Sequence, residues 1–217
     1  MKTDSEIQED VMAELKGEPM LNATEIGVAV KNGVVTLTGT VSNYAKKFAA
    51  ENATLRVKGV KAVAEELVVQ LGEGDKLTDT EVAASVVSTL RWNTVIPDEQ
   101  IKIKVTNGFV HLSGEVDWNF QKEAVINAIR ELKGVRSVSN EITVKPRVQS
   151  DNIKENIKKA LERKADLEAD NIRVETIGDH VILKGSARSW NERKTIAHAA
   201  WSTPGVALVE DKIVISY

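Results

Sequence analysis

Apolar side chains recur four positions apart at Ile7, Val11 and Leu15, again at Val82, Val86 and Leu90, and a third time at Ile153, Ile157 and Leu161. That interval places each trio on one face of a helix. Beyond each trio the period changes to two, in Ile26-Val28-Val30, Ile101-Ile103-Val105 and Ile172-Val174. Alternation of this kind sets one side of a β-strand against a core. Asn32-Gly33 and Asn107-Gly108 follow, residues that supply the positive φ angles of a two-residue hairpin turn, and Gly178-Asp179 takes that place in the third stretch. Each strand therefore folds back into a second one.

Sliding the chain on itself explains the threefold recurrence. At offsets of 75 and then 71 residues, Val35-Thr-Leu-Thr-Gly39-Thr-Val41 aligns with Val110-His-Leu-Ser-Gly114-Glu-Val116 and Val181-Ile-Leu-Lys-Gly185-Ser-Ala187. Gly59-Val60, Gly134-Val135 and Gly205-Val206 each begin 20 residues after those glycines. Between the two anchors runs an Ala-, Lys- and Glu-rich stretch, such as Gln121 to Lys133, that reads as a second helix stopped at the glycine. A third strand follows, with apolar phase Val63, Leu67, Val69; Val138, Ile142, Val144; and Val209, Ile213, Ile215. The pattern predicts an α+β protein of three tandem αββαβ modules, residues 1–72, 76–146 and 147–217, each with two helices packed on one face of a three-stranded sheet. Gly72 to Lys76 reads as a flexible joint, and Lys145-Pro146-Arg147 as a stiffer one because proline restricts itself and its predecessor.

Composition narrows the function classes. With 42% hydrophobic and 28% charged residues the chain suits a folded globular protein. Its net charge of -3 supplies no excess of cations for phosphate neutralisation, which argues against nucleic acid as partner. Over residues 1–74, 75–146 and 147–217 the net charges are -3, -1 and +1, so the third module is the least repelled by an anionic surface. The absence of cysteine excludes disulfides, thiolate zinc sites and cysteine nucleophiles. Met1 to Leu15 alternates acids with isolated apolar residues and holds no secretory apolar run, and no stretch approaches a membrane-spanning helix. The expected location is the cytoplasm; a periplasmic one would require a leader already removed.

The spacings Val-x-Leu-x-Gly-x-Val and Gly-Val-x-x-Val-x-polar-x-apolar-x-Val resemble the signature of the BON domain, from Gly39 to Val69, Gly114 to Val144 and Gly185 to Ile215. The third copy departs in Ala187 and in its Gly-Asp turn. The resemblance implies the αββαβ module. It also implies a non-enzymatic role, since family members are described as phospholipid-associated or osmotic-stress-induced envelope proteins, and one relative with a single such domain binds potassium. This sequence shows neither the secretory signal of the envelope members nor the peptidoglycan-binding domain that accompanies the potassium binder.

Local motifs for catalysis are missing. His111, His180 and His198 occupy three different positions of the repeat, and no paired-histidine helix, phosphate loop or nucleophile elbow occurs. Gly72-Glu-Gly74 lacks the third glycine of a phosphate loop, and the sequons at Asn22 and Asn52 matter only in a secreted chain. No catalytic, metal or cofactor residues are assigned. Three features remain. The repeated Gly39, Gly114 and Gly185 have a structural account, letting the second helix pack close or permitting a turn. Glu65, Asn140 and Asp211 share the inward parity of the third strand, either to bond nearby backbone or to form an oxygen-ligand cation site. The aromatic residues Tyr44, Trp118, Phe120 and Trp190 stand at the mouth of each second helix, accompanied by Lys46, Lys47, Lys122, Arg188, Arg193 and Lys194. Aromatic rings and cations together suit an anionic phospholipid interface, whereas an aromatic residue at a helix start can equally staple that end to the core.

The sequence thus predicts a non-enzymatic binding protein whose first-choice partner is an anionic phospholipid or membrane surface, met peripherally, in a stress-related role. A potassium-responsive protein and a protein-interaction array are the alternatives, and the oligomeric state is left open.

Overall fold

A computed structural model describes residues 2–145, 152–163 and 171–216. The first helix, α1 (Asp4–Gly17), starts at a reciprocal cap: the Thr3 hydroxyl accepts from the Glu6 amide at 3.3 Å, and the Glu6 carboxylate accepts from the Thr3 amide at 2.7 Å. It buries Ile7, Val11 and Leu15. Strands β1 (Ile26–Lys31) and β2 (Val34–Val41) pair antiparallel across Asn32 (φ 54°) and Gly33 (φ 78°). Helix α2 (Tyr44–Arg56) then carries the chain over the sheet to β3 (Ala62–Val69), which lies parallel to β2. The sheet order is β1-β2-β3, so the glycine-bearing strand sits in the centre. Central Val35 and Leu37 are fully buried beneath the helices.

The same order repeats. The second module comprises α3 (Asp79–Trp92), β4 (Ile101–Thr106), β5 (Phe109–Val116), α4 (Asn119–Ile129) and β6 (Ser137–Val144). The third comprises α5 (Ile153–Glu162), β7 (Ile172–Ile177), β8 (His180–Ala187), α6 (Trp190–Trp201) and β9 (Leu208–Ile215). Each module closes its own hydrophobic core, and among the described residues the only crossing in these clusters is Tyr44 of α2, which packs against the second core. Among the described residues no helix is long and apolar enough to cross a membrane.

Three details differ from the sequence reading, and a fourth cannot be compared with it. Helix α4 spans Asn119–Ile129 instead of Gln121 to Lys133, because the Leu132 and Val135 amides reach back only three residues, to the carbonyls of Ile129 and Leu132, and tighten the chain into turns. The joint after β3 is ordered: Glu73–Asp75 forms a 3₁₀ turn, and Asp75 is tied to Lys133 at 2.9 Å. The third hairpin has positive φ at Gly178 alone (64°), so its turn type differs from the Asn-Gly pair. Pro146 and Arg147 lie outside the described residues.

A device absent from the sequence reading fixes the first two hairpins. Asp4 opens α1, and its carboxylate accepts from the amides of Asn32 and Gly33 at 2.7 and 2.9 Å. Asp79, at the same repeat position, accepts from Asn107 and Gly108, both at 2.8 Å. Helix start and turn are thereby locked together.

Candidate functional site

The repeated central glycine is required by a close approach. A Cβ at Gly39, Gly114 or Gly185 would lie 2.1, 2.1 or 2.0 Å from the carbonyl oxygen of Glu25, Gln100 or Asn171. All three also hold positive φ, from 119° to 137°. The crowding comes from the backbone entering the first strand, where the sequence reading had offered close packing of the second helix or a turn.

The inward polar residue of the third strand follows one rule in every module. Glu65, Asn140 and Asp211 accept from the amides two residues on, at Leu67, Ile142 and Ile213, with distances of 2.9, 3.0 and 2.9 Å. A second partner distinguishes them. Lys47 on α2 meets Glu65 at 2.9 Å, and Arg193 on α6 meets Asp211 at 2.7 Å. These carboxylates therefore hold a protein amide and a protein cation. In the middle module Asn140 instead donates to the Lys122 carbonyl at 3.4 Å. Lys122 forms no ion pair among the described residues, and burial lowers its ammonium pKa. The inward polar residue and the helix cation stand 18 positions apart in every copy, a spacing legible in the sequence but not drawn from it. Among the described residues no three His, Asp or Glu side chains cluster to hold a metal ion.

The aromatic residues at the helix mouths do not form one surface. Tyr44 is half-buried against the second module and hydrogen-bonds with the backbone of Val138; burial, then the carboxylates of Glu51 and Glu65, raise its phenol pKa. Phe48, one turn on, lies under the Arg130 guanidinium at 5.1 Å. Trp190 lies half-buried beneath Arg193 at 4.9 Å, in a cleft shared with α2 of the first module. Trp118 and Phe120 face a crevice of about 300 Å³ shared with His198, Trp201 and Ser202 at the end of α6. Contacts thus run from the first module to the second and from the third back to the first, and the second and third modules share the walls of this crevice. Of the cations, Lys46 is half-buried at the start of α2, Arg188 is exposed beside Glu192 at 3.7 Å, and Lys194 donates to Asn52 of the first module at 3.3 Å.

Trp118 and Phe120 keep 37% and 54% of their surface exposed. They sit beside the end of α3, since Gln121 accepts from the amides of Asp117 and Trp118 and donates to the Val95 carbonyl at 3.1 Å. There Trp92 is 84% exposed, next to exposed Arg91, Val87 and Val95. Sequence reasoning passed over Trp92 because it attended to positions the copies share. Trp92 aligns with Gly17 and Arg163, and an aromatic residue unmatched by its sister copies is the signal that would have found it.

Fold and contacts define a repeat protein of three αββαβ units. A family model described as "BON domain" matches residues 3–70, 78–146 and 149–217, and the chain belongs to that family. It is 30% identical over 150 residues to "Osmotically-inducible protein Y" of Escherichia coli K12, covering 65% of this chain and 73% of that protein. It is 27% identical over 125 residues to "Uncharacterized protein in gshII 5'region" of Anaplasma centrale, covering 56% of this chain and 83% of the relative. The solved C-terminal domain of CdsD, a structural protein of the type III secretion system of Chlamydia trachomatis, aligns over 100% of both chains at 14% identity with a TM-score of 0.27, a superposition too loose to inform the fold.

Proposed function

We propose that this BON protein acts without catalysis, by docking peripherally on anionic phospholipid surfaces in a stress-related role, and that the end of its second module makes the contact. One observation carries the reading: Trp92 stands 84% exposed beside Arg91, on the same end of the module as Val95, Trp118 and Phe120. Indole rings favour the membrane interface, and a nearby cation adds about 1 kcal/mol of attraction to an anionic headgroup. The similarity to a protein named for osmotic induction supports the stress-related part. Tyr44 and Trp190 are occupied by neighbouring modules, so lipid contact falls to the middle one.

Co-sedimentation with phosphatidylglycerol vesicles, alongside phosphatidylcholine vesicles, tests this. The anionic vesicles should retain the protein and blue-shift its tryptophan emission. Trp92→Ala should weaken retention by about tenfold, the order expected for removing one interfacial tryptophan. Equal retention by both vesicle types, or none by either, would dismiss the proposal.

A further inference from the structure

Helices α2 and α6 face each other across a cleft of about 630 Å³ between the first and third modules. Phe48 and Leu55 on one wall and Ala197 on the other make it partly apolar. Most of the charges that line it are already spent. Arg56 binds Glu14 at 2.8 Å and Glu18 at 3.3 Å, and Arg193 binds Asp211. Two opposite charges are left over, Glu51 on α2 and Lys194 on α6. Among the described residues Glu51 receives no hydrogen bond, neither side chain forms an ion pair, and Lys194 has only its bond to Asn52.

A half-buried carboxylate without a donor is costly to hold, and its pKa is raised accordingly, by burial first and by Glu65 second, with the through-space attraction of Lys194 and then Lys47 offsetting only part of the rise. The Trp190 indole N–H in the same lining is buried and lacks an acceptor among the described residues. An anion alone would meet Glu51 and Asp211, and a cation alone would meet Lys194, Arg193 and Arg56. A molecule carrying both signs satisfies the two uncommitted groups together. We propose that the α2–α6 cleft binds a small zwitterion of the free amino-acid type, its ammonium on Glu51, its carboxylate on Lys194 and its aliphatic body against Phe48, Leu55 and Ala197. The volume falls within the range usual for small-molecule sites.

Amide and indole NMR of the full chain, titrated with L-leucine, tests the proposal. Saturable shifts at Asn52 and the Trp190 indole are expected. Leucine methyl ester, which keeps only the cation, and 4-methylpentanoate, which keeps only the anion, should each bind about tenfold more weakly, as expected for loss of one charge-assisted contact. Glu51→Gln and Lys194→Gln should each cost leucine a similar factor. Glu51→Gln breaks no hydrogen bond among the described residues, so the fold should survive and the variant remains informative. No saturable shift up to the solubility of leucine, half-molecules that each bind as tightly as leucine itself, or unchanged affinity in both variants would overturn the assignment. The last two outcomes would mean that Glu51 and Lys194 serve only to attract the two modules to each other.

Discussion

Exchanging Asn140 for aspartate gives the middle module the pair that its two neighbours carry. In those neighbours the partners lie 2.9 and 2.7 Å apart, with only 20 to 25% of each side chain exposed. At 2.9 Å and an effective dielectric of about 20, the attraction is roughly 6 kcal/mol. Desolvating the new carboxylate removes several kcal/mol of this, and the lost bond from Asn140 to the Lys122 carbonyl, at 3.4 Å, is too long to matter much. A net stabilisation of about 1 kcal/mol is expected from Asn140→Asp, because the ammonium is already half-buried and partly penalised. The pH dependence gives an independent readout. In the parent protein burial holds Lys122 below its ordinary 10.5, so in that alkaline window the unfolded chain binds more protons and stability rises with pH. In the variant the Lys122 titration, followed by side-chain NMR, should move upward and that rise should disappear. An unmoved Lys122, or a urea-measured stability lower by more than about 1 kcal/mol, would refute the account.

Gly114→Ala should cost about 4 kcal/mol in urea unfolding, since its Cβ would strike the Gln100 carbonyl and an alanine is strained at φ 137°; a loss below about 1 kcal/mol would show that the two strands separate easily. The reciprocal caps should respond to acid. Glu6 and Glu81 are held below their usual carboxylate range chiefly by the amides of Thr3 and Thr78, so each cap is fully formed above the unfolded value of 4.5 and is lost as pH falls through the depressed one. Amide exchange in the first turns of α1 and α3 should therefore quicken at low pH relative to neighbouring amides after correction for intrinsic rates, and Glu6→Gln and Glu81→Gln should abolish that dependence.

The fold was largely legible because its determinants are local. Four-residue spacing, alternation and Asn-Gly turns each report a backbone geometry that needs no partner far along the chain. The inward parity of Glu65, Asn140 and Asp211 could be read in the same way, since a strand's pleat fixes it. What they bind could not, because Lys47, Lys122 and Arg193 reach them only after the crossover helix folds back onto the third strand. The aromatic residues show the limit most clearly. Tyr44 and Trp190 share one repeat position, yet one meets the second module and the other the first, a difference set by how whole modules pack and not by any neighbouring residue. Trp92 was missed for the opposite reason, since averaging over copies hides what one copy alone possesses.

The return of α6 to α2 has a mechanical consequence. In an open string of repeats the end units have one neighbour each and fray first. Here the first unit is braced on two sides, by the second through Tyr44 and by the third through α6, so loosening it strains both junctions. The whole should melt as a single cooperative body, and cutting the backbone between two modules should leave the trio clasped.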